Sequence, residues 1–428
     1  LGTSIQDVNY QYYDVGGSLN SVADGFTMLN LMQSAVKFQQ DGYHDQTQSI
    51  FATAQLGWKS KLYLDVTGRV DWSSALAWTD TKSVAYPSVG VSAILTELLP
   101  IKNNVLTFLK VRGSYSEVGN APTRYIAYQT YPYESASPVT ATTYPNTDIK
   151  PERTKAWEVG LQSHLWNDKL ELNVSLYKTS TYNQLFNPSI SASSGYSSIY
   201  INGGQVDNKG IEASLTLNQP LGPVQWNSTF TYTINRNKIK KLLKPTTLSN
   251  GEVVKQDMMD LGGLEIVNSR LFEGGSIGDL YVTALRTDSH GYIDVDYVNN
   301  TVAIDNKAGE RQDGWIYAGN SQAKYMMGWR NSFSWKGLTL GCLVNARIGG
   351  IVVSQTQAMM DAYGVSTATA EARDLGYVLI DGYKVPAVQK YYSTVGSGVG
   401  SMYVYSATNV RLAELSLGYN IPVHKWVP

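Results

Sequence analysis

Leu62-Tyr63-Leu64-Asp65-Val66-Thr67-Gly68-Arg69-Val70-Asp71-Trp72 alternates residue by residue. Leu62, Leu64, Val66, Gly68, Val70 and Trp72 fall on one side, and Tyr63, Asp65, Thr67, Arg69 and Asp71 on the other, which is the period of a β-strand. A soluble antiparallel sheet shows the same alternation, with its apolar face on a core. At about 3.3 Å per residue the stretch runs roughly 33 Å. Tilted by about 40°, it covers about 25 Å along a membrane normal, the height of the apolar band of a transmembrane barrel. Trp58, just before the preceding turn, and Trp72 then stand at the two interfaces.

The pattern recurs. Leu109, Val111, Gly113 and Tyr115 alternate with Lys110, Arg112, Ser114 and Ser116. Leu170, Leu172, Val174 and Leu176 alternate with Glu171, Asn173, Ser175 and Tyr177, and Ile211, Ala213, Leu215 and Leu217 with Glu212, Ser214 and Thr216. Trp226, Phe230, Tyr232 and Ile234 form a further apolar side, as do Tyr325, Met327, Trp329, Phe333 and Trp335, followed after a turn by Leu338, Leu340, Cys342, Val344 and Ala346. Asp65, Arg69, Asp71, Lys110, Arg112 and Glu212 are therefore expected on a water-filled lumen side. Helical character is expected only within residues 354–379.

Loop lengths sort by side. Short turns at 59–61, 99–104, 167–169, 220–223 and 336–337 alternate with long segments at 73–84, 117–154, 182–204, 236–322 and 353–400. Short turns at one rim and long external loops at the other are the asymmetry of outer-membrane barrels. Parity then requires residues 236–322 to hold no crossing or an even number, and it places residues 1–46 outside as a loop. The expected fold is all-β: a transmembrane antiparallel up-and-down barrel wall over residues 47–428, with eleven strands, the last over 402–421.

Composition agrees. Charged residues make up 16% of the 428, against about 25% in soluble domains. Thirty Tyr and ten Trp accompany a mean hydropathy of only −0.21, so aliphatic bulk has not replaced the missing charge. Thirty-four basic against 35 acidic residues leave no basic face for a nucleic acid. The lone Cys342 cannot form an internal disulfide, and the four His show no metal-ligand spacing.

Several of these strands carry recognisable words. Arg69-Val70-Asp71-Trp72-Ser73-Ser74, Tyr86-Pro87-Ser88-Val89, and Leu109-Lys110-Val111-Arg112-Gly113-Ser114-Tyr115 closing in Gly119-Asn120 come first. Asn146-Thr147-Asp148-Ile149-Lys150-Pro151-Glu152-Arg153-Thr154, with Trp157-Glu158-Val159-Gly160-Leu161, is the most specific. Val206-Asp207-Asn208-Lys209-Gly210-Ile211-Glu212, Glu273-Gly274-Gly275-Ser276-Ile277-Gly278 and Leu415-Ser416-Leu417-Gly418-Tyr419-Asn420-Ile421-Pro422 follow in order. In these words the chain resembles the C-terminal barrel portion of the SusC/RagA-like family, the TonB-dependent transporters of Bacteroidetes. Trp72 stands where the family's first word has Gly.

The resemblance implies a partial barrel, about half of one with about 22 strands, without the family's N-terminal plug. It implies import of an oligosaccharide or a peptide across the outer membrane of a Gram-negative bacterium. The partners implied are a SusD-like surface lipoprotein, TonB reached through an N-terminal region, and outer-membrane lipid. A non-transporting surface receptor or adhesin with the same wall is the alternative. Many relatives carry an Asp-rich calcium-like loop; here residues 293–306 offer Asp294 and Asp296 without the glycine and bidentate acid such a loop needs. No calcium, other metal or cofactor is expected.

No catalytic constellation emerges. Gly396-Ser397-Gly398-Val399-Gly400 lacks the strand–loop–helix setting and the Lys-Ser/Thr of a phosphate loop, and reads as a flexible external loop. Binding fits better than reaction. Tyr125, Tyr128, Tyr131 and Tyr133 crowd one external loop, and Tyr rings offer flat apolar faces with a polar tip, suited to sugar rings or peptides. They equally suit packing of that loop on its neighbours, as do Tyr391, Tyr392, Tyr403 and Tyr405.

Overall fold

The computed structural model describes the chain except residues 132, 135, 136, 139–141, 191–194, 248–250, 252, 297, 299, 300 and 422–428, together with the side chains of 133, 134, 137, 138, 244, 246 and 254–256. Pro422 and His424 fall among the undescribed residues.

The alternating stretches become one antiparallel sheet in which each strand pairs with its sequence neighbours. In order these are β1 (Gly2–Gly16), β2 (Lys37–Trp58), β3 (Leu62–Ser73), β4 (Val84–Ile94), β5 (Leu106–Asn120) and β6 (Glu152–Leu165). The sheet continues through β7 (Leu170–Phe186), β8 (Ile201–Leu221), β9 (Val224–Lys241), β10 (Tyr325–Trp335), β11 (Leu338–Ile348) and β12 (Asn409–Tyr419). Up-and-down order is what hairpins of this spacing dictate. At the tightest, Lys336 and Gly337 both take positive φ (46° and 88°), as a two-residue turn matched to strand twist requires.

Register sorts the faces. Leu56↔Leu64, Ala54↔Val66 and Ile50↔Val70 oppose each other on one side, and Gln55↔Asp65, Thr53↔Thr67 and Ser49↔Asp71 on the other. Val66, Leu176, Leu215, Phe230 and Leu340 are each about 40–50% exposed on the apolar face, which has no protein layer over it. A one-residue slip would turn all of them inward, so the membrane fixes the register.

Three expectations need correction. The wall has twelve strands, not eleven, because residues 1–46 are not a loop: β1 pairs with β2 from Gly2↔Phe51 to Gly16↔Lys37, leaving a connection at 17–36. Asp7 pairs with Gln46, already beyond the Gln48↔Trp72 pair at the loop end of β3, so most of β1 rises above the apolar band and carries no apolar alternation. The last wall strand begins at Asn409; Val404–Ser406 instead pairs with Ile351–Val353.

The third correction concerns the two longest loops, which fold together. Met258–Leu264, Val267–Phe272, Asp279–Val282 and Ile316–Asn320 form a four-stranded external sheet. Helices α1 (Gln355–Ala362), α2 (Thr367–Leu375) and α3 (Val388–Gly398) pack beside it, and α3 lies outside the region where helix was expected. Ser354 and Ser366 cap α1 and α2 by accepting from the N–H three residues on, at 3.2 Å each. Ile266, Val302, Ala358, Val395, Val399 and Tyr403 share one buried core across both loops. The stretch 396–400 is accordingly no flexible loop. A Cβ on Gly396 would lie 2.4 Å from the Ala358 carbonyl oxygen, and one on Gly400 1.9 Å from that of Ile266. Those glycines admit backbone at close range.

Candidate functional site

Asp65, Arg69, Asp71, Lys110, Arg112 and Glu212 lie on the face opposite the apolar set. Gln55 donates to Asp65 at 2.6 Å, while Arg69 donates to Asp71 at 2.6 Å and to Ser49 Oγ at 2.8 Å. Arg112 crosses β6 to reach Ser175 Oγ on β7 at 2.5 Å and comes within 3.5 Å of Glu158. Gly160 lets it pass, because a Cβ there would lie 2.6 Å from Arg112 Nε. Ser175 in turn pairs with Glu212. The result is a polar wall of alternating charge, in which Asp65, Arg69, Asp71 and Arg112 are held by neighbours rather than paired for proton transfer.

At the loop rim the same face carries aromatics. Tyr10 stacks on Tyr43 with ring centroids 5.1 Å apart, and the Arg124 guanidinium lies 3.5 Å from the Tyr43 ring centroid. Arg124 also grips Asp45 with two nitrogens, at 2.7 and 3.0 Å. The Asp45 hydrogen bond holds the guanidinium more firmly protonated than usual. A cleft of about 420 Å³ opens beside this pair, lined by Gln6, Thr47, Ser73 and Thr123 among others.

The four Tyr expected to bind ligand divide. Tyr128 stacks on Trp78 at 4.6 Å and both rings stay about half exposed, while Leu76, Thr79, Ile126 and Ala127 beside them in sequence are buried. Tyr125 and Tyr131 are likewise more than half exposed, Tyr125 with a left-handed φ of 65°. The side chain of Tyr133 lies outside the described residues. Trp78, Tyr43, Asp45 and Arg124 were not singled out from sequence. The available signal was a lone Trp in the 73–84 loop and the Tyr-rich run at 10–13, neither dense enough to stand out.

A second cavity, of about 720 Å³, lies in the external sheet. Phe272, Tyr281, Trp315 and Tyr317 line it with Glu310 and Arg311. Buried Arg270 lies 5.0 Å from the Trp315 ring and pairs with Asp313 at 2.8 Å. Burial, then nearby Asp279, raises the Tyr281 and Tyr317 hydroxyls above the usual range, so both stay neutral donors.

Of the remaining Tyr, Tyr391 and Tyr403 are core residues; Tyr403 donates to Asp361 at 3.0 Å. Tyr405 is 47% exposed. In the 293–306 segment Asp294 accepts from Arg286 at 2.7 Å, and Asp296 accepts from the Val298 N–H. Among the described residues no three His, Cys, Asp or Glu side chains gather as a metal site would need.

Residues 1–341 match the family model described as TonB dependent receptor-like, beta-barrel. The chain is similar to TonB-dependent receptor P3 of Formosa agariphila, 26% identical over 434 residues, covering 95% of this chain and 42% of that protein. TonB-dependent receptor P26 of the same organism is 24% identical over 445 residues, covering 99% and 44%. The chain thus spans under half the length of the curated relatives it matches. Among solved structures, the fold is similar to the RagAB peptide importer in its open-open state, with a TM-score of 0.73 at 18% identity, covering 99% of this chain and 46% of that one.

Proposed function

The chain belongs to the TonB-dependent receptor-like β-barrel family of the outer membrane, and from that premise we propose that it supplies wall and loops to an importer of an oligosaccharide. TonB, reached through another part of a full-length protein, drives the import, and a SusD-like surface lipoprotein covers the loops. The observations that carry this reading are two aromatic contacts, one in the loops and one at the lumen-side rim. Tyr128 on Trp78, with the Arg124–Asp45 pair on Tyr43, offers half-exposed ring faces beside fixed hydrogen-bond groups. Ring faces bind the C–H side of a sugar, and the fixed polar groups read its hydroxyls. The reading needs no catalysis, cofactor or calcium.

The test is uptake by cells expressing the full-length protein, offered fluorescent xylo-, cello- and malto-oligosaccharides and, separately, fluorescent peptides of matched length. One neutral oligosaccharide series is expected to enter, and Trp78→Ala with Tyr128→Ala should weaken its binding several-fold, as loss of about 0.5–1.5 kcal/mol per ring predicts. Uptake of peptides instead replaces the substrate class. Binding without uptake makes the barrel a surface receptor.

A further inference from the structure

On β6 to β9 the outward face of the wall is largely apolar until its loop end, and there it changes character. On β7 the outward residues Leu172, Val174 and Leu176 are followed by Lys178; on β8, Leu215, Ala213 and Ile211 are followed by Lys209. On β9 Ile234 is followed by Arg236 and Lys238, and on β6 Val159 and Trp157 are followed by Lys155 and Arg153. Register confirms the shared face: Trp157↔Lys178, Lys178↔Lys209 and Lys209↔Arg236 are direct partners.

Six basic side chains therefore stand just beyond the apolar band on four adjacent strands, a width of about 15 Å at 4.8 Å per strand. Strand tilt brings them closer to one level than the ladder suggests. With strands about 40° from the axis, each step along the ladder from β6 to β9 climbs by about 3 Å, which nearly levels Lys155, Lys178 and Lys209.

Two acids share the patch. Glu117 lies 3.7 Å from Arg153 and 3.8 Å from Lys155, and Asp207 lies 3.9 Å from Lys178. These are long contacts, and among the described residues neither Lys209 nor Lys238 has an ion-pair partner, though both are exposed. Arg236 donates to the Lys324 carbonyl at 2.8 Å and lies over the Tyr325 ring. The other sectors differ. At the loop end of β1–β3 the outward residues are Asp7, Gln46, Gln48 and Trp72, and on β10–β12 they are Tyr325, Ile348 and Val410. In a chain with only 16% charged residues, this local excess of positive charge stands on the outward side of the wall, with Arg236 alone turned also to a cleft shared with Ser276, Tyr317 and Ile351 of the cap. It faces the layer where the outer leaflet carries its headgroups.

We propose that this patch binds the phosphorylated headgroup of an outer-leaflet glycolipid. Lys178, Lys209 and Lys238 supply ammonium groups to the phosphates, and Trp157 and Tyr325 lie against the acyl–headgroup boundary. The site does not depend on what the barrel transports.

The test uses the full-length protein purified in detergent. Native mass spectrometry would be run with added diphosphoryl lipid A, its enzymatically dephosphorylated form, and inorganic phosphate. The wild type should retain diphosphoryl lipid A and not the dephosphorylated form, and millimolar phosphate alone should not displace it. The triple substitution Lys178→Gln, Lys209→Gln, Lys238→Gln should weaken retention by roughly a hundredfold, at several-fold per lysine, while Lys→Arg at the same positions should preserve it. Heat-modifiable gel mobility checks that each variant is a folded barrel; if the triple variant is not, Lys209→Gln alone should still show a several-fold loss. Equal retention of both lipid forms, equal retention by the Gln variants, or displacement by phosphate alone would overturn the proposal. So would a shift from dimer to monomer in the Gln variants with no change in lipid, which makes the patch an interface between copies.

Discussion

The wall and the external cap are built from one chain by opposite means. The wall strands bury little; Leu176 and Leu417 are 50% and 72% exposed, because lipid rather than protein covers them. Their order comes from ladder hydrogen bonds that must all be satisfied where no water can reach. The cap over 236–322 and 353–400 has an ordinary protein core, with Ile266, Val395 and Val399 at 0–1% exposure and Ile239 buried in a second cluster at its foot. One region is therefore specified by a period of two against a membrane, and the other by close packing of particular side chains.

Truncation should separate the two most sharply. In the cap, Ile266→Ala opens a void that surrounding backbone cannot close, at the upper end of the usual ~2–5 kcal/mol. Leu340→Ala on the wall should lose only the transfer term, about 2 kcal/mol, since acyl chains fill the space. Hydrogen exchange in lipid would read this as faster exchange through both long loops in the first variant and little change in the ladder. If Ile266→Ala loosens β7–β9 as much as the cap, the two regions are one cooperative unit.

Charge gives the reverse contrast. Leu215→Arg puts a cation on the lipid face near the middle of β8 and should cost ~2–4 kcal/mol, while Glu212→Gln, three residues away on the lumen face, should cost near zero. Urea unfolding of the full-length protein in vesicles measures both. Equal costs would mean that the apolar face of β8 does not meet lipid.

The same contrast explains what was legible in the sequence. Leu62–Trp72 and its repeats gave the wall because lipid demands strict alternation, so each strand carries the whole rule locally. β1 escaped because Asn9, Gln11 and their partners His44 and Gly42 stand above the band, where no such demand applies. The helix α3 escaped because Gly396 and Gly398 read as breakers, when Ala358 and Ile304 press too near for a Cβ. At the rim, Tyr128 was visible through aromatic density. Trp78 and Asp45 were not, since their partners lie 50 and 79 residues away in sequence and only the fold brings them together.

The smallest expected effect concerns pH and belongs to the cap alone. Burial, with the neighbouring Tyr392 and Asp361, pushes the Tyr391 hydroxyl up to about 12, from an ordinary value near 10. Burial and a hydrogen bond to Asp361 raise Tyr403 as well. The folded cap thus holds these protons more tightly than the unfolded chain does, so the associated stability is complete below pH 10 and falls as pH rises through 10 toward 12. The wall's ladder gains no such dependence from these groups. Exchange of the cap amides, corrected for the intrinsic rate, should therefore stay level from pH 7 to 9.5 and accelerate above 10, ahead of the ladder. Tyr403→Phe keeps the ring and removes one titrating hydroxyl, so it should shrink the acceleration while leaving Asp361 to find water. An acceleration that begins near pH 8, or that survives Tyr403→Phe combined with Tyr391→Phe, would assign the sensitivity to some other group and detach it from the cap core.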